Sequence, residues 1–391
     1  MKKAHFIGIG GIGMSALAQL LTDQNIRVTG SDREESPVTE LLESRGISVV
    51  IGQKAANVPA DVDVVVYSDA VPVENPERVC AEGRKIPQFS YFEMLGEVSK
   101  GKRTIAVAGT HGKTTTTGML ARILRAAGVS PVAIIGSIVK DFSSNYLPGR
   151  QAGLPGTSDL FVVEACEYRD HILELSPSVL VVTNLEWDHT DYFPSLKALQ
   201  DTFRKTIEKI PADGVIITDS SNKNIAPLLN AAKARIIDYT QEPAYTLRLP
   251  GEFNVENARA AAAAARAVLP SISDSEITES LAAFSGTWRR FEYKGKTARG
   301  ADVYDDYAHH PTAIRATLKA LRAQTKGEII VVFHPHLYSR TRDLLNEFAG
   351  AFSAADTVFI APIYAARETD DGTISSEILA ESLSIQPQAP G

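Results

Sequence analysis

Residues 104–117 read TIAVAGTHGKTTTT, and this stretch constrains the fold more than any other. The apolar run at 105–108 has the character of a buried strand. It breaks at Gly109, and after Gly112 the chain takes on a helical pattern to residue 127. A strand that passes through a glycine turn into a helix aims backbone N–H groups and a helix N-terminus at one point, which suits a phosphate chain. Gly109, Thr110, His111, Gly112 and Thr115 would then surround the phosphates. Lys113 would reach the β- and γ-phosphates, and the Thr114 hydroxyl would ligate Mg²⁺. Val107 stands where the common P-loop has a glycine, so the motif is a shortened relative. The competing reading is an ordinary glycine turn with a surface lysine. The strand and helix on either side favour ATP or GTP binding.

A second glycine-rich turn opens the chain. Residues 4–15 read AHFIGIGGIGMS, in which Gly8, Gly10 and Gly13 match G-x-G-x-x-G and Gly11 lies between them. Asp32 follows a second strand about 20 residues on, where dinucleotide folds place a ribose-binding acid. A nicotinamide cofactor is the first guess. The fingerprint reports only a diphosphate laid across a helix N-terminus, however, and any nucleoside diphosphate satisfies it. Residues 1–100 read as one parallel α/β domain, and the polar stretch 97–103 separates it from the P-loop strand. Buried-strand candidates at 132–135, 160–164, 179–184 and 214–218 continue a parallel sheet covered on both faces. A second boundary near 286–292 divides a central domain, 101–288, from a C-terminal unit, 289–391, with strand candidates at 301–307, 328–333 and 357–362.

Net charge is −7 and no long basic run occurs, which argues against nucleic acid or an anionic membrane as partner. The two cysteines, Cys80 and Cys166, fit a reducing compartment. No apolar stretch reaches the roughly 18 residues that span a bilayer, and a strand pattern begins at once, so a cytoplasmic protein is expected.

Three further clusters carry chemistry. FVVEACEY sets Glu164 at a strand end, and the next strand runs out into Glu186, Trp187, Asp188 and His189. Beside a P-loop, Glu164 and His189 could hold divalent ions on the transferring phosphate. The alternative for His189 is a helix cap or a partner for a buried carbonyl. VYDDYAHHPTAI gathers Asp305, Asp306, Tyr307, His309 and His310 ahead of Pro311, where adjacent histidines make poor joint metal ligands and a substrate-binding role is expected. HPHLYSRTRD adds Arg340 and Arg342, and Arg289 and Arg290 could clamp phosphates across a domain cleft or sit solvated.

Taken in order, HFIGIGGIGMSALA, GSD, VVYSDAVP, AVAGTHGKTTTT, VVEACEY, TNLEWDHTDYF, FNVENARAA, WRRFE, DDYAHHPTAI and FHPHLYSRTRD resemble the Mur ligases over nearly all 391 residues. The resemblance implies a three-domain α/β architecture: a Rossmann-like N-terminal domain, a P-loop central ATPase and a Rossmann-like C-terminal domain. It is strongest to the branch that ligates L-alanine to UDP-N-acetylmuramate using ATP and Mg²⁺ or Mn²⁺. By resemblance, Gly8, Gly10, Gly11, Gly13, Met14, Ser15, Asp32 and Ser68 would hold the UDP-sugar, and Asn257 would contact adenine. Lys113, Arg289 or Arg290, and His310 would serve catalysis. Thr114, Glu164 and His189 would hold metal, and Tyr307, His309 and Arg340 would recognise alanine. Phe253 and Leu337 depart from the family's histidine and arginine at those positions. The C-terminal unit looks short, with a polar tail at 386–391, an exposed apolar sheet edge and one covering helix missing. The alternatives are a ligase that recycles a whole tripeptide, a nicotinamide dehydrogenase, and a non-catalytic nucleotide-binding module.

Overall fold

The computed structural model of the protein describes residues 1–149 and 159–384, so the tail at 386–391 lies outside the described residues. Strands β1 (Lys3–Ile7), β2 (Arg27–Asp32), β3 (Ser48–Ile51), β4 (Val64–Tyr67) and β5 (Gln88–Ser90) form a parallel sheet in the order β3-β2-β1-β4-β5. Helices α1 (Ile12–Asp23), α2 (Pro37–Ser44), α3 (Pro76–Gly83) and α4 (Tyr91–Ser99) belong to this unit. Strand order reverses between β1 and β4, which opens a crevice at their C-terminal ends beside the glycine turn.

The central sheet contains β6 (Arg103–Ala108), β7 (Val132–Val139), β8 (Ser144–Leu147), β9 (Leu160–Glu164), β10 (Val179–Val182), β11 (Val215–Thr218) and β12 (Arg235–Asp238). Its order is β12-β11-β10-β6-β9-β7-β8, parallel except for the β7–β8 pair. Helices α5 (Lys113–Ala126), α6 (Leu196–Lys209), α7 (Glu252–Val268) and α8 (Asp274–Ala282) accompany it. The alanine-rich run is buried in α7 where it packs along α5, because small side chains let the two backbones approach. With β6 between β9 and β10, the P-loop, Glu164 and the 183–191 segment leave the sheet at neighbouring strand ends.

The two units share a polar interface. Asn145 on β8 donates to the Ile12 carbonyl (2.5 Å) and the Ser15 hydroxyl (2.9 Å), and Tyr146 donates to Asp23 (2.7 Å).

The C-terminal unit departs from the sequence reading. Strand β14 (Asp302–Asp305) pairs antiparallel with β13 (Glu292–Lys296), and β15 (Ile330–Phe333) pairs in parallel with β16 (Thr357–Ile360) in a separate sheet. The sequence EYKGK is too polar to read as a strand, so the hairpin partner was missed. Helices α9 (Pro311–Arg322), α10 (Tyr338–Asp343), α11 (Leu345–Ala349) and α12 (Ser376–Ser384) complete the unit. Val331, Phe333, Val358 and Ile360 face a core that includes Leu318, Phe348 and Leu379. Helix α12 packs on this face and buries Leu379. The opposite face stays open, with Ile330, Val332 and Phe359 at 57%, 76% and 58% exposure. Among the described residues no helix is long and apolar enough to cross a membrane.

Candidate active site

The first N–H groups of a helix need acceptors. Helices α2, α4 and α8 meet this need with serine capping boxes. Helices α1 and α5 instead start behind Gly11 and Gly112, with no side-chain cap and no acidic residue in the first turn. Both N-termini are therefore left for an anion. Gly112 has φ +81°, and a Cβ there would lie 2.1 Å from the Asn257 side-chain oxygen. Asn257, for which the resemblance implies an adenine contact, lies buried beside the P-loop, where it accepts from Thr116 at 3.3 Å. Thr110 and His111 are laced to the segment after β10: the Thr110 hydroxyl donates to the Glu186 carbonyl (2.9 Å), and the His111 N–H donates to the Asn184 side chain (2.8 Å). Thr115 is buried at the helix start.

Two carboxylates face the loop. The Thr114 hydroxyl donates to Glu164 at 3.0 Å and accepts from Arg290 at 3.3 Å. The Lys113 ammonium sits 2.9 and 3.1 Å from the two oxygens of Glu167, and His189 Nε2 lies 3.5 Å from the same carboxylate. Burial works against both charges of the Lys113–Glu167 pair, yet each partner outweighs it: Lys113 is held above the ordinary lysine range and Glu167 below the carboxylate range. His189 thus meets Glu167, whereas sequence reading coupled it to Glu164. Glu167 went unnoticed although it is the second acid of VVEACEY, three residues beyond the first. The Thr114 hydroxyl and a Glu164 oxygen, 3.0 Å apart, are oxygen donors that fit a divalent cation, and His189 Nδ1 is buried and unpartnered.

The C-terminal unit approaches from the other side. Arg289 pairs with Asp305 at 3.3 Å, while Arg290 reaches the P-loop, so only the second arginine of the pair touches the phosphate-binding turn. Both guanidinium groups lie over the Tyr307 ring, at 5.3 and 5.0 Å from its centre. Arg290 also lines a cavity of about 310 Å³ together with Lys140, Arg248, Phe291 and Tyr304.

His310 caps α9, its Nδ1 accepting from the Thr312 N–H (3.3 Å), and its Nε2 meets the Trp187 carbonyl (3.2 Å). Burial pushes its pKa down to about 4, so the ring is neutral at pH 7. Both ring nitrogens are engaged, so His310 seats α9 against the 183–191 segment. Glu186 lies 3.3 Å from His111 Nε2 and 3.7 Å from His310 Nδ1; burial opposes its charge, but the hydrogen bonds to His111 and Thr312 and the neighbouring imidazoles together hold its carboxyl down to about 2.

Arg340 is a correction. Expected to be free for the carboxylate of alanine, it donates Nε to Asp188 at 2.7 Å and NH1 to the His336 carbonyl at 3.1 Å, in an ion pair with both side chains under 5% exposed. Burial opposes the Asp188 charge, but Arg340 keeps it well below the usual range. His309 lies 3.9 Å from the same carboxylate, and burial holds its ring neutral.

In the first unit, Gly8 adopts φ +79° with Ser68 packed beside it. Asp32 is spent on the turn itself: its two oxygens accept from the Gly10 and Arg33 N–H groups, each at 2.7 Å. Met14 is buried in the core, and Ser15 is buried in the interface with Asn145 rather than facing the crevice, so neither side chain is open to a sugar nucleotide. Gly10, Gly11 and Gly13 line the turn, and Gly13 packs against Tyr91.

Comparison with known proteins agrees with this layout. Residues 3–103 match the family described as Mur ligase family, catalytic domain; residues 107–246 match the Mur ligase middle domain; and residues 289–389 match the Mur ligase, glutamate ligase domain. The UDP-N-acetylmuramate–L-alanine ligases of Clostridium acetobutylicum and Clostridium novyi are 37% and 38% identical to the chain, over 98% of its length and 87% of theirs. The solved UDP-N-acetylmuramate-alanine ligase of Thermotoga maritima superposes with a TM-score of 0.76 at 28% identity, covering 98% of this chain and 88% of that one. The chain belongs to the Mur ligase family.

Proposed function

We propose that this protein is an ADP-forming amide ligase that joins L-alanine to the lactyl carboxylate of UDP-N-acetylmuramate in the synthesis of peptidoglycan precursors. One observation carries the reading. The P-loop residues Lys113 and Thr114, the acids Glu164 and Glu167, and the C-terminal Arg290 converge on one point from three separately encoded segments. A nicotinamide dehydrogenase would use none of them. The names of relatives at 37–38% identity support the alanine-adding branch over tripeptide recycling.

The chemistry follows in two displacements. A lactyl carboxylate oxygen attacks the γ-phosphorus of ATP, the bond to the β,γ-bridging oxygen breaks, and ADP leaves an acyl phosphate. The amine of alanine then attacks the acyl carbon, loses its proton, and expels phosphate as the amide forms. Lys113 and Arg290 bring fixed positive charge to the phosphoryl group, the largest kind of contribution a protein makes to such transfers. A divalent cation held by Thr114, Glu164 and His189 would supply further charge neutralisation at the phosphate oxygens. The N-terminus of α1 presents its uncapped N–H groups to the diphosphate of the UDP-sugar. Tyr307 and His309 form the amino-acid side of the cleft. The direct test is phosphate release from ATP with UDP-N-acetylmuramate and a panel containing alanine, glycine, serine and the stem tripeptide. Release that depends on all three substrates and is fastest with alanine supports the reading. Release with the tripeptide but not with alanine would replace it by the recycling activity.

A further inference from the structure

The segment Asp188–His189–Thr190–Asp191 contains a conformational oddity. His189 has φ +52°, a left-handed backbone that a residue with a side chain keeps only when its surroundings hold it there. The carboxylates on either side are each gripped by an arginine of the C-terminal domain. Asp188 accepts from Arg340 Nε at 2.7 Å and from the His189 N–H at 2.7 Å. Asp191 accepts from Arg367 Nε at 2.9 Å and NH2 at 2.7 Å, and also from the Tyr168 hydroxyl at 2.7 Å. The Arg367 guanidinium lies 4.3 Å above the centre of the Tyr168 ring, and the His189 ring lies 5.0 Å from the same ring.

The two arginines are also tied to each other. Glu368, next to Arg367, accepts from the N–H (3.0 Å) and the hydroxyl of Ser339, the residue before Arg340. The Tyr364 carbonyl accepts from the Leu337 N–H at 2.9 Å. The start of α10 and the 364–368 loop therefore act as one piece.

An isolated surface ion pair would carry little. Here the guanidinium Nε and NH2 and the Tyr168 hydroxyl all converge on one oxygen of Asp191, and the guanidinium is stacked on the Tyr168 ring, so charge and aromatic packing together hold it in place. We propose that Arg367 is a positioning residue: through Asp191 and Tyr168, and in concert with the Arg340–Asp188 pair, it sets the conformation of His189, so that docking of the C-terminal domain and the geometry of the metal-binding histidine are established together. The inference rests on the reading of His189 as a metal ligand.

Mn²⁺ titration of the full-length chain in the presence of ADP, followed by the electron paramagnetic resonance of free Mn²⁺, tests it. Arg367→Ala and Asp191→Asn should each weaken Mn²⁺ binding about tenfold, with Arg367→Lys recovering part of the loss. His189→Ala should weaken binding at least as much, and adding Arg367→Ala to it should have no further effect. An unchanged Mn²⁺ affinity in Arg367→Ala while His189→Ala loses affinity would overturn the proposal and leave His189 as a ligand. An equal loss from Arg367→Ala in the His189→Ala background would also overturn it, because the arginine would then act elsewhere. Unchanged affinity in His189→Ala would remove the histidine from the metal site and the proposal with it.

Discussion

At the scale of single residues, the structure changes what a familiar experiment means. Lys113→Ala removes positive charge from the phosphoryl group and should lower phosphate release by on the order of 10²–10³-fold. It also strands the buried Glu167 carboxylate, and removing one member of a buried pair costs about 3–5 kcal/mol. The single variant should therefore be both inactive and less stable. The double variant Lys113→Met, Glu167→Gln should recover most of the melting temperature and stay inactive. A double variant that melts no higher than the single one would show that the pair is not what destabilises it.

His310 gives a pH test. Its folded pKa is about 4 against 6.5 for the free side chain, so between those values the unfolded chain binds a proton that the native chain does not. Stability contributed by the neutral ring is then lost as pH falls from about 6.5 to about 4, at up to about 1.4 kcal/mol per pH unit. His310→Gln should flatten the decline in melting temperature between pH 7 and pH 5, whatever it does to stability at pH 7. An unchanged slope would mean that the ring is not held neutral. Sequence reading singled out Lys113 and Thr114 because they share one short motif, and Glu164 because it ends an apolar strand run. It missed Glu167 and misjudged Arg340 because the partners of both, Lys113 and Asp188, are 54 and 152 residues away and only the fold brings them near.

At the scale of elements, the two phosphate-type turns are set by what their helices lack. Gly112 combines a positive φ with contact against Asn257, and alanine there would strain the backbone and push Asn257 aside. Backbone strain of about 1–3 kcal/mol is expected, and a turn that shifts to relieve it should bind ATP more weakly. UDP-sugar binding should be untouched, because it belongs to a different helix. Calorimetric titration of each nucleotide separates the two, and equal losses for both would contradict the assignment of the turns. The inner parallel strands of the first two sheets were legible because both faces are covered, which gives continuous apolar runs, whereas the edge strands β5 and β12 were not read from the sequence. The hairpin β13–β14 was not legible either, because β13 reads EYKGK and its pairing depends on a neighbour rather than on its own pattern.

For the whole molecule, three α/β units meet at one cleft, and they differ in how completely they are covered. The central sheet is wrapped by α5 and α7, whereas the β15–β16 sheet leaves Ile330, Val332 and Phe359 open on one face. Fewer buried contacts lower the free energy of local opening. Amide exchange should therefore be fastest in strands β15 and β16, and slow in β6 and β10. Equal protection in both would show that α9, α11 and α12 suffice to stabilise the C-terminal unit.

The central claim is that the cleft activates a carboxylate as its acyl phosphate before the amine of alanine arrives. Ligation with UDP-N-acetylmuramate carrying ¹⁸O in both lactyl carboxylate oxygens measures this directly. The account predicts ADP as the nucleotide product and one ¹⁸O atom in each phosphate released, in a reaction that requires alanine to complete. Release of AMP and pyrophosphate, or phosphate free of ¹⁸O, would contradict it.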